Sequence, residues 1–355
     1  MPRRPQPRRR RRRAREPWWI DLPLDELLDV RLCDLGLRIE GTALEARVQR
    51  LHDELARAGL RFRPYVWLST DWFTPDGSTG FAIPFYLAHP RLVRLEHAQM
   101  LEAEGSTGDE CMRLLRHEAG HALDNAYRLH RRAAWRRTFG RYSEPYRLDY
   151  HARPDSKDYV QHLDRFYAQS HPAEDYAETF AVWLAPGARW QRDYEGWPAL
   201  KKLEALDAMM ADVAGRPQAV RSRDRSDSLP TLKATLRDYY RRKQASYANS
   251  QPWMHDRELV WLFRPAARRG GGRGESAATF LRNLRVDLRG RTASLTGHYR
   301  YVVDQALDAM IARCKELDLR RSRSAALTRL GAAVLLTMVT LTLTLPGGKK
   351  PRFRR

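Results

Sequence analysis

Residues 114–127 read LLRHEAGHALDNAY, and the rest of the chain is interpreted from that stretch. Leu114, Leu115, Ala122 and Leu123 give it apolar positions for burial as a helix. Thr107, with Glu110 three residues on, supplies a capping box for a helix over 109–129. Inside that helix stands His117-Glu118-Ala119-Gly120-His121, the pattern HExxH. Positions i and i+4 lie one turn apart on one face, so both imidazoles can reach one small ion. Glu118 sits about 100° round from His117, able to touch a water on that ion without being a ligand. Zinc suits the set, because it accepts two neutral imidazoles and a carboxylate and leaves one position open. With 11 His in 355 residues, chance yields roughly 0.02 such patterns per chain. The competing explanation is two histidines and a glutamate on a solvated helix face.

A third ligand is needed. The metzincin pattern would place a histidine six residues after His121, but that residue is Tyr127. The next candidate segment is SHPAEDYAETFAVWL, residues 170–184. Its helix starts at Pro172, where a missing N–H costs least, and ends near Pro186-Gly187. Glu174 and Glu178 are four apart on one face near its positive N-terminal end, with Phe180, Trp183 and Leu184 to pack inward. Glu174 is assigned as the third ligand, with His171 and Glu178 as rivals. Glu178 then fits behind a ligand histidine, accepting from its other nitrogen and fixing its tautomer. Asp124, seven residues after His117, could serve the other histidine; the alternative is a surface acid.

Charge and composition divide the chain. The formal charge is +21, from 64 Lys and Arg against 43 Asp and Glu. It is +8 over residues 1–16, −6 over 17–215, +14 over 216–346 and +5 over 347–355. The Arg-rich start cannot pack a core and repels itself, so it reads as a disordered tail. It either solubilises the chain or makes weak, salt-dependent contact with nucleic acid or anionic surfaces. Hydrophobic residues are 43% of the chain, which excludes a wholly disordered protein. Three widely spaced cysteines give no disulfide framework, which points to a reducing, cytoplasmic compartment, and no apolar segment of secretory type follows the Arg run.

Short helices are expected over 21–30 and 42–59, strands over 62–70 and 80–88, and a further helix over 156–169. Pro84 marks the second strand as an edge, and residues 80–86 could pair with an extended peptide. Residues 216–230 read as a linker, and 231–247 and 297–320 as helices around an RRGGGRG break at 268–274. Residues 330–345 are uncharged but shorter than the ~20 positions of a membrane span, and their V-T-L-T-L-T-L alternation at 339–345 suggests a strand. Membrane attachment is therefore not expected.

HEAGHALDNAY followed by YAQSHPAEDYAETFAVWL resembles the bacterial "putative zinc-binding metallopeptidase" family, a gluzincin-type group, over roughly residues 22–215. Its second motif is also similar to the zinc helix of lethal-factor-like toxins. There the first glutamate is the ligand, and a tyrosine seven residues earlier faces substrate; that position is Tyr167 here. The resemblance implies that Tyr167 stabilises an oxyanion; the alternative is a packed helix-face aromatic. It implies an α+β fold: a zincin-like metalloprotease domain at 17–215, mainly helical with a small sheet edging the active-site helix. A mostly helical basic region at 231–346 and a basic tail at 347–355 would follow. The expected activity is zinc-dependent hydrolysis of a peptide or protein substrate, with one Zn2+ per chain held by His117, His121 and Glu174 and Glu118 as general base. The alternative is a zinc-stabilised, non-catalytic binding protein whose basic flanks do the work.

Overall fold

The computed structural model describes residues 16–146, 149–150, 153–247, 256–266, 274–343 and 345–346. The Arg-rich start up to residue 15, nearly all of the RRGGGRG stretch and the basic residues 347–355 lie outside them.

The described chain is mostly helical with small two-stranded sheets. In order come α1 (Leu24–Leu28), α2 (Ala43–Arg57), β1 (Tyr65–Ser69), β2 (Gly80–Pro84), α3 (Pro90–Met100), α4 (Gly108–Tyr127) and α5 (Ala133–Phe139). Then follow α6 (Pro172–Leu184), α7 (Trp190–Asp193), α8 (Ala199–Val213), α9 (Leu236–Tyr247), α10 (Asp256–Leu262), α11 (Ala277–Asn283), α12 (Arg285–Thr296), α13 (Arg300–Glu316) and α14 (Ala325–Thr342).

Two large cores organise these elements, with a small third cluster of Val160, Trp190, Tyr194, Ala199 and Leu203 around α7 and α8. The first runs from Trp19 to Tyr240 and contains the buried faces of α2, α4, α6 and α9. The second, from Leu259 to Val339, is built by α10 to α14. The division expected at 216–230 therefore falls later, after α9, whose Leu236, Tyr239 and Tyr240 are buried in the first core. The segment expected to be a linker is a strap rather than a tether. Ser222, Asp224, Ser226 and Asp227 accept hydrogen bonds through their carbonyls from Thr79, Tyr65, Trp67 and Ser69. Polar composition marked it as a loop, but these side chains fix it along β1 and β2.

β1 and β2 pair in parallel, from Tyr65 opposite Gly80 to Ser69 opposite Pro84. Pro84 ends the strand, and Phe85–Ala88 continue as a 3-10 turn. The expected peptide-binding edge at 80–86 is not available. All of β2 is buried, and on its other side Ala82 N–H donates to Phe73 O at 2.8 Å. The connection through residues 70–79 folds back over β2 and brings Phe73 and Thr74 towards α4.

Two further expectations are corrected. Residues 156–169 form no α-helix, only a 3-10 turn at Asp164–Gln169. The local donors are used elsewhere: Gln161 N–H donates to Tyr194 OH and Leu163 N–H to the Glu178 carboxylate. The alternating Val-Thr-Leu segment is helical up to Thr342, its inner side buried in the second core, and the Thr340 hydroxyl is accommodated by donating to the Leu336 carbonyl four residues back. α14 is long and apolar enough, by length and composition only, to cross a membrane. Its inner face, with Ala332, Leu335, Leu336 and Val339, is buried in the second core, and Leu327, Leu330, Val334 and Leu341 are exposed.

α6 packs principally against α4, with a close approach at Gly120. A Cβ there would lie 3.1 Å from Phe180 Cδ1 and 3.2 Å from Ala177 Cα, tighter than ordinary contact. α2 is tied to the other side of α4 by a buried bidentate pair, Arg116 to Glu54 at 2.8 and 3.0 Å. Replacing Gly120→Val should overpack the α4–α6 seam, lower stability by about 1–3 kcal/mol and weaken metal retention. Thermal unfolding with and without zinc checks this; an unchanged Tm would contradict the close-packing account.

Candidate metal centre

α4 begins with the expected capping geometry: Thr107 Oγ1 accepts from Glu110 N–H at 3.2 Å. From that start the helix carries His117, Glu118 and His121 to one side. α6 begins with His171, whose Nδ1 accepts from Ala173 N–H at 3.1 Å, ahead of Pro172 in the first turn. Its first two turns bring Glu174 and Glu178 against the histidines. The two i, i+4 pairs, on facing helices, therefore meet.

Their side chains converge. His117 Nε2 and His121 Nε2 are 3.2 Å apart, and each is 3.1 Å from Glu174 Oε2. The three donor groups lie within 4.8 Å of one another and are able to hold a metal ion. Three such groups crowded together in a buried setting would repel or go unsatisfied without a cation or protons between them, so the donor set fits a metal. Behind His117, Nδ1–H donates to Glu178 Oε1 at 2.7 Å, which leaves Nε2 as the lone-pair donor facing His121 and Glu174. Glu178 is fully buried, and its Oε2 accepts from Leu163 N–H at 2.7 Å.

The rivals for the third position are used otherwise. His171 Nε2 pairs with Glu144 O at 2.8 Å while its Nδ1 caps α6. Glu178 faces the far nitrogen of His117. Asp124 is corrected: it accepts from His130 N–H at 2.7 Å and pairs with His130 Nδ1 at 3.1 Å, rather than supporting His121. α4 ends at Tyr127, and the chain turns back so that His130 meets the carboxylate first.

Electrostatics follow the same contacts. Burial alone would push His117 down, but hydrogen bonds accepted by the Glu174 and Glu178 carboxylates, and their negative charges, carry it well above its ordinary value. Burial would raise Glu174, yet the charge and hydrogen bonds of the two histidines hold it well below the usual carboxylate range. Burial pushes Glu118 up, partly offset by the histidines and by Thr74. Thr74 Oγ1 donates to Glu118 Oε2 at 2.8 Å.

Two tyrosines face this centre. Tyr167 lies on the 3-10 turn rather than a helix, its ring 5.8 Å from that of His117. Tyr146, which the sequence reading missed, donates to Glu174 Oε1 at 2.7 Å and stacks on His171 at 3.8 Å. Nothing in its surroundings, a loop 28 residues before Glu174, marks it as a site residue in the sequence. The centre opens into a cleft of about 820 Å³, lined by Thr74, Glu118, Tyr146 and Tyr167 and, from the second unit, by Leu295 and Arg300.

This geometry gives three donors, between two packed helices, that could hold a metal ion. Residues 110–187, the span of α4 through α6, match the family described as "Putative zinc-binding metallo-peptidase", a narrower stretch than the 22–215 over which the resemblance was expected. No curated protein and no solved structure matches the chain.

Glu178→Gln should keep the fold but weaken zinc binding by about 10–100-fold, because the carboxylate that fixes His117 is lost. Competition with a fluorescent chelator measures this, and unchanged affinity would remove Glu178 from the centre.

Proposed function

We propose that the protein is a zinc-dependent metallopeptidase with a zincin-like arrangement and a gluzincin ligand set, His117, His121 and Glu174. The observation that carries this reading is the meeting of those three donors with Glu118 beside them and Glu178 behind His117, at the floor of an open cleft. One ion per chain would be held there. Bound zinc supplies Lewis acidity, which acidifies water and polarises a carbonyl.

The chain's own residues do the rest. Glu118 is the general base: burial raises its proton affinity, and Thr74 holds Oε2 and so leaves Oε1 to take a proton from the attacking water. Glu118 then gives that proton to the leaving amine. Tyr167 donates to the oxyanion that develops on the scissile carbonyl. Tyr146 holds Glu174 Oε1, so that Oε2 keeps its place between the two histidines. The substrate is a peptide or protein segment lying in the cleft.

Glu118→Gln is expected to retain one zinc per chain, by metal analysis, while hydrolysis falls by about 10²–10⁴-fold. His117→Ala should lose both. A Glu118→Gln protein that still cleaves peptides, purified free of other proteases, would defeat the assignment of the base.

A further inference from the structure

We infer that α14 seats this protein on an anionic phospholipid surface, lying along the membrane interface rather than crossing it. Leu327, Leu330, Val334, Met338 and Leu341 are all exposed. At about 100° per residue the five fall within an arc of about 80°, and they extend for about 21 Å along the helix. Single exposed apolar side chains are ordinary, but an aligned stripe of five marks an interaction surface.

The opposite face of α14 limits how the stripe is used. Ala332, Leu335, Leu336 and Val339 are buried in the second core, where α14 packs on α10, α12 and α13. The one charged residue of the helix, Arg329, is turned aside to Asp287 of α12 at 2.6 Å. Hydrocarbon could surround α14 only if that core came apart, so a single face is offered to lipid. A helix with one apolar face outward lies in the plane of the interface, and that needs none of the length of a span.

Charge chooses the occupant. Arg320, Arg321 and Arg323 precede α14, and residues 347–355 follow it with five basic side chains and no acid. Asp318 and Glu275 pair with Arg320 and Arg321. The Arg323 guanidinium instead lies 4.5 Å over the ring of Trp261. Both ends of the stripe therefore carry basic residues. A second copy of the chain laid along it, parallel or antiparallel, would set basic end against basic end, whereas anionic headgroups match both.

α10 supplies a separate observation. Gly331, at the edge of the same arc, leaves room for Leu262 and so brings α10 alongside. Trp261, the residue before Leu262, is 66% exposed under the Arg323 guanidinium. An open indole beside a guanidinium and an apolar stripe suits the boundary between acyl chains and phosphates, where the ring and the cation are both accommodated.

The test uses the purified full-length protein and sedimentation with vesicles of phosphatidylcholine alone, or of phosphatidylcholine and phosphatidylserine at about seven to three. At low salt, partition onto the mixed vesicles should be at least about tenfold higher, and added salt should shrink the advantage. L330E/V334E, at two exposed positions, should lose binding by about tenfold or more with an unchanged Tm. L330S/V334S adds no charge, so its loss in the same direction separates the stripe from plain attraction to basic residues; it also serves if the first variant misfolds. Alkaline carbonate should release the bound protein, as it does a surface contact. No binding to the mixed vesicles, or binding that both variants leave intact, would overturn the inference. Retention through carbonate, which means insertion across the bilayer, would do so too. A dimer that the same variants dissociate, in a protein that ignores vesicles, would assign the stripe to a second copy instead.

Discussion

The seam between α4 and α6 depends on a close backbone approach at Gly120. α6 comes so near α4 that only the absent side chain of Gly120 leaves room for Phe180 and Ala177. At that separation, two acids one turn apart on α6 face two imidazoles one turn apart on α4. Ionisable groups taken out of water must compensate one another or the fold is lost. His117, Glu174 and Glu178 are all buried, and each is held near another. The helix seam and the candidate metal site are therefore one construction.

Hydrogen bonds extend that construction outward and account for irregular backbone around it. Leu163 N–H reaches Glu178, which reaches His117. A helix over 156–169 would have used that N–H within itself; the tertiary contact prevails and the chain stays open there. On the other side of the centre, the loop between β1 and β2 sets Thr74 against Glu118, and the loop after α5 sets Tyr146 against Glu174. Each loop hydrogen-bonds one oxygen of a carboxylate at the centre.

The family match covers only α4 to α6. Further structure lies around that segment. A strap along β1 and β2 and helix α9 belong to the first core, and the helices after α9 form a second core whose α12–α13 turn overhangs the cleft. Charge follows a similar division: residues 17–215 carry a formal −6 and residues 216–346 a formal +14.

Much of the centre was legible in residue order because its spacing is local. HExxH and ExxxE each need only one helix, and helix periodicity places their side chains without knowledge of any partner. Thr107 with Glu110, the apolar stripe of α2 and Pro172 at the head of α6 likewise act within a few residues. Tertiary structure alone decided the rest. Asp124 stood on the expected face, yet the turn after α4 brought His130 to it. Tyr146 and Thr74 have no pattern of their own and count only because distant loops fold onto the site. The Thr-Leu alternation of α14 pointed to a strand, but threonine can return its hydroxyl to the preceding turn, and burial on one side of the second core favoured the helix. Local spacing fixes which groups share a face; which faces meet depends on packing between segments far apart in the chain, and residue order does not record it.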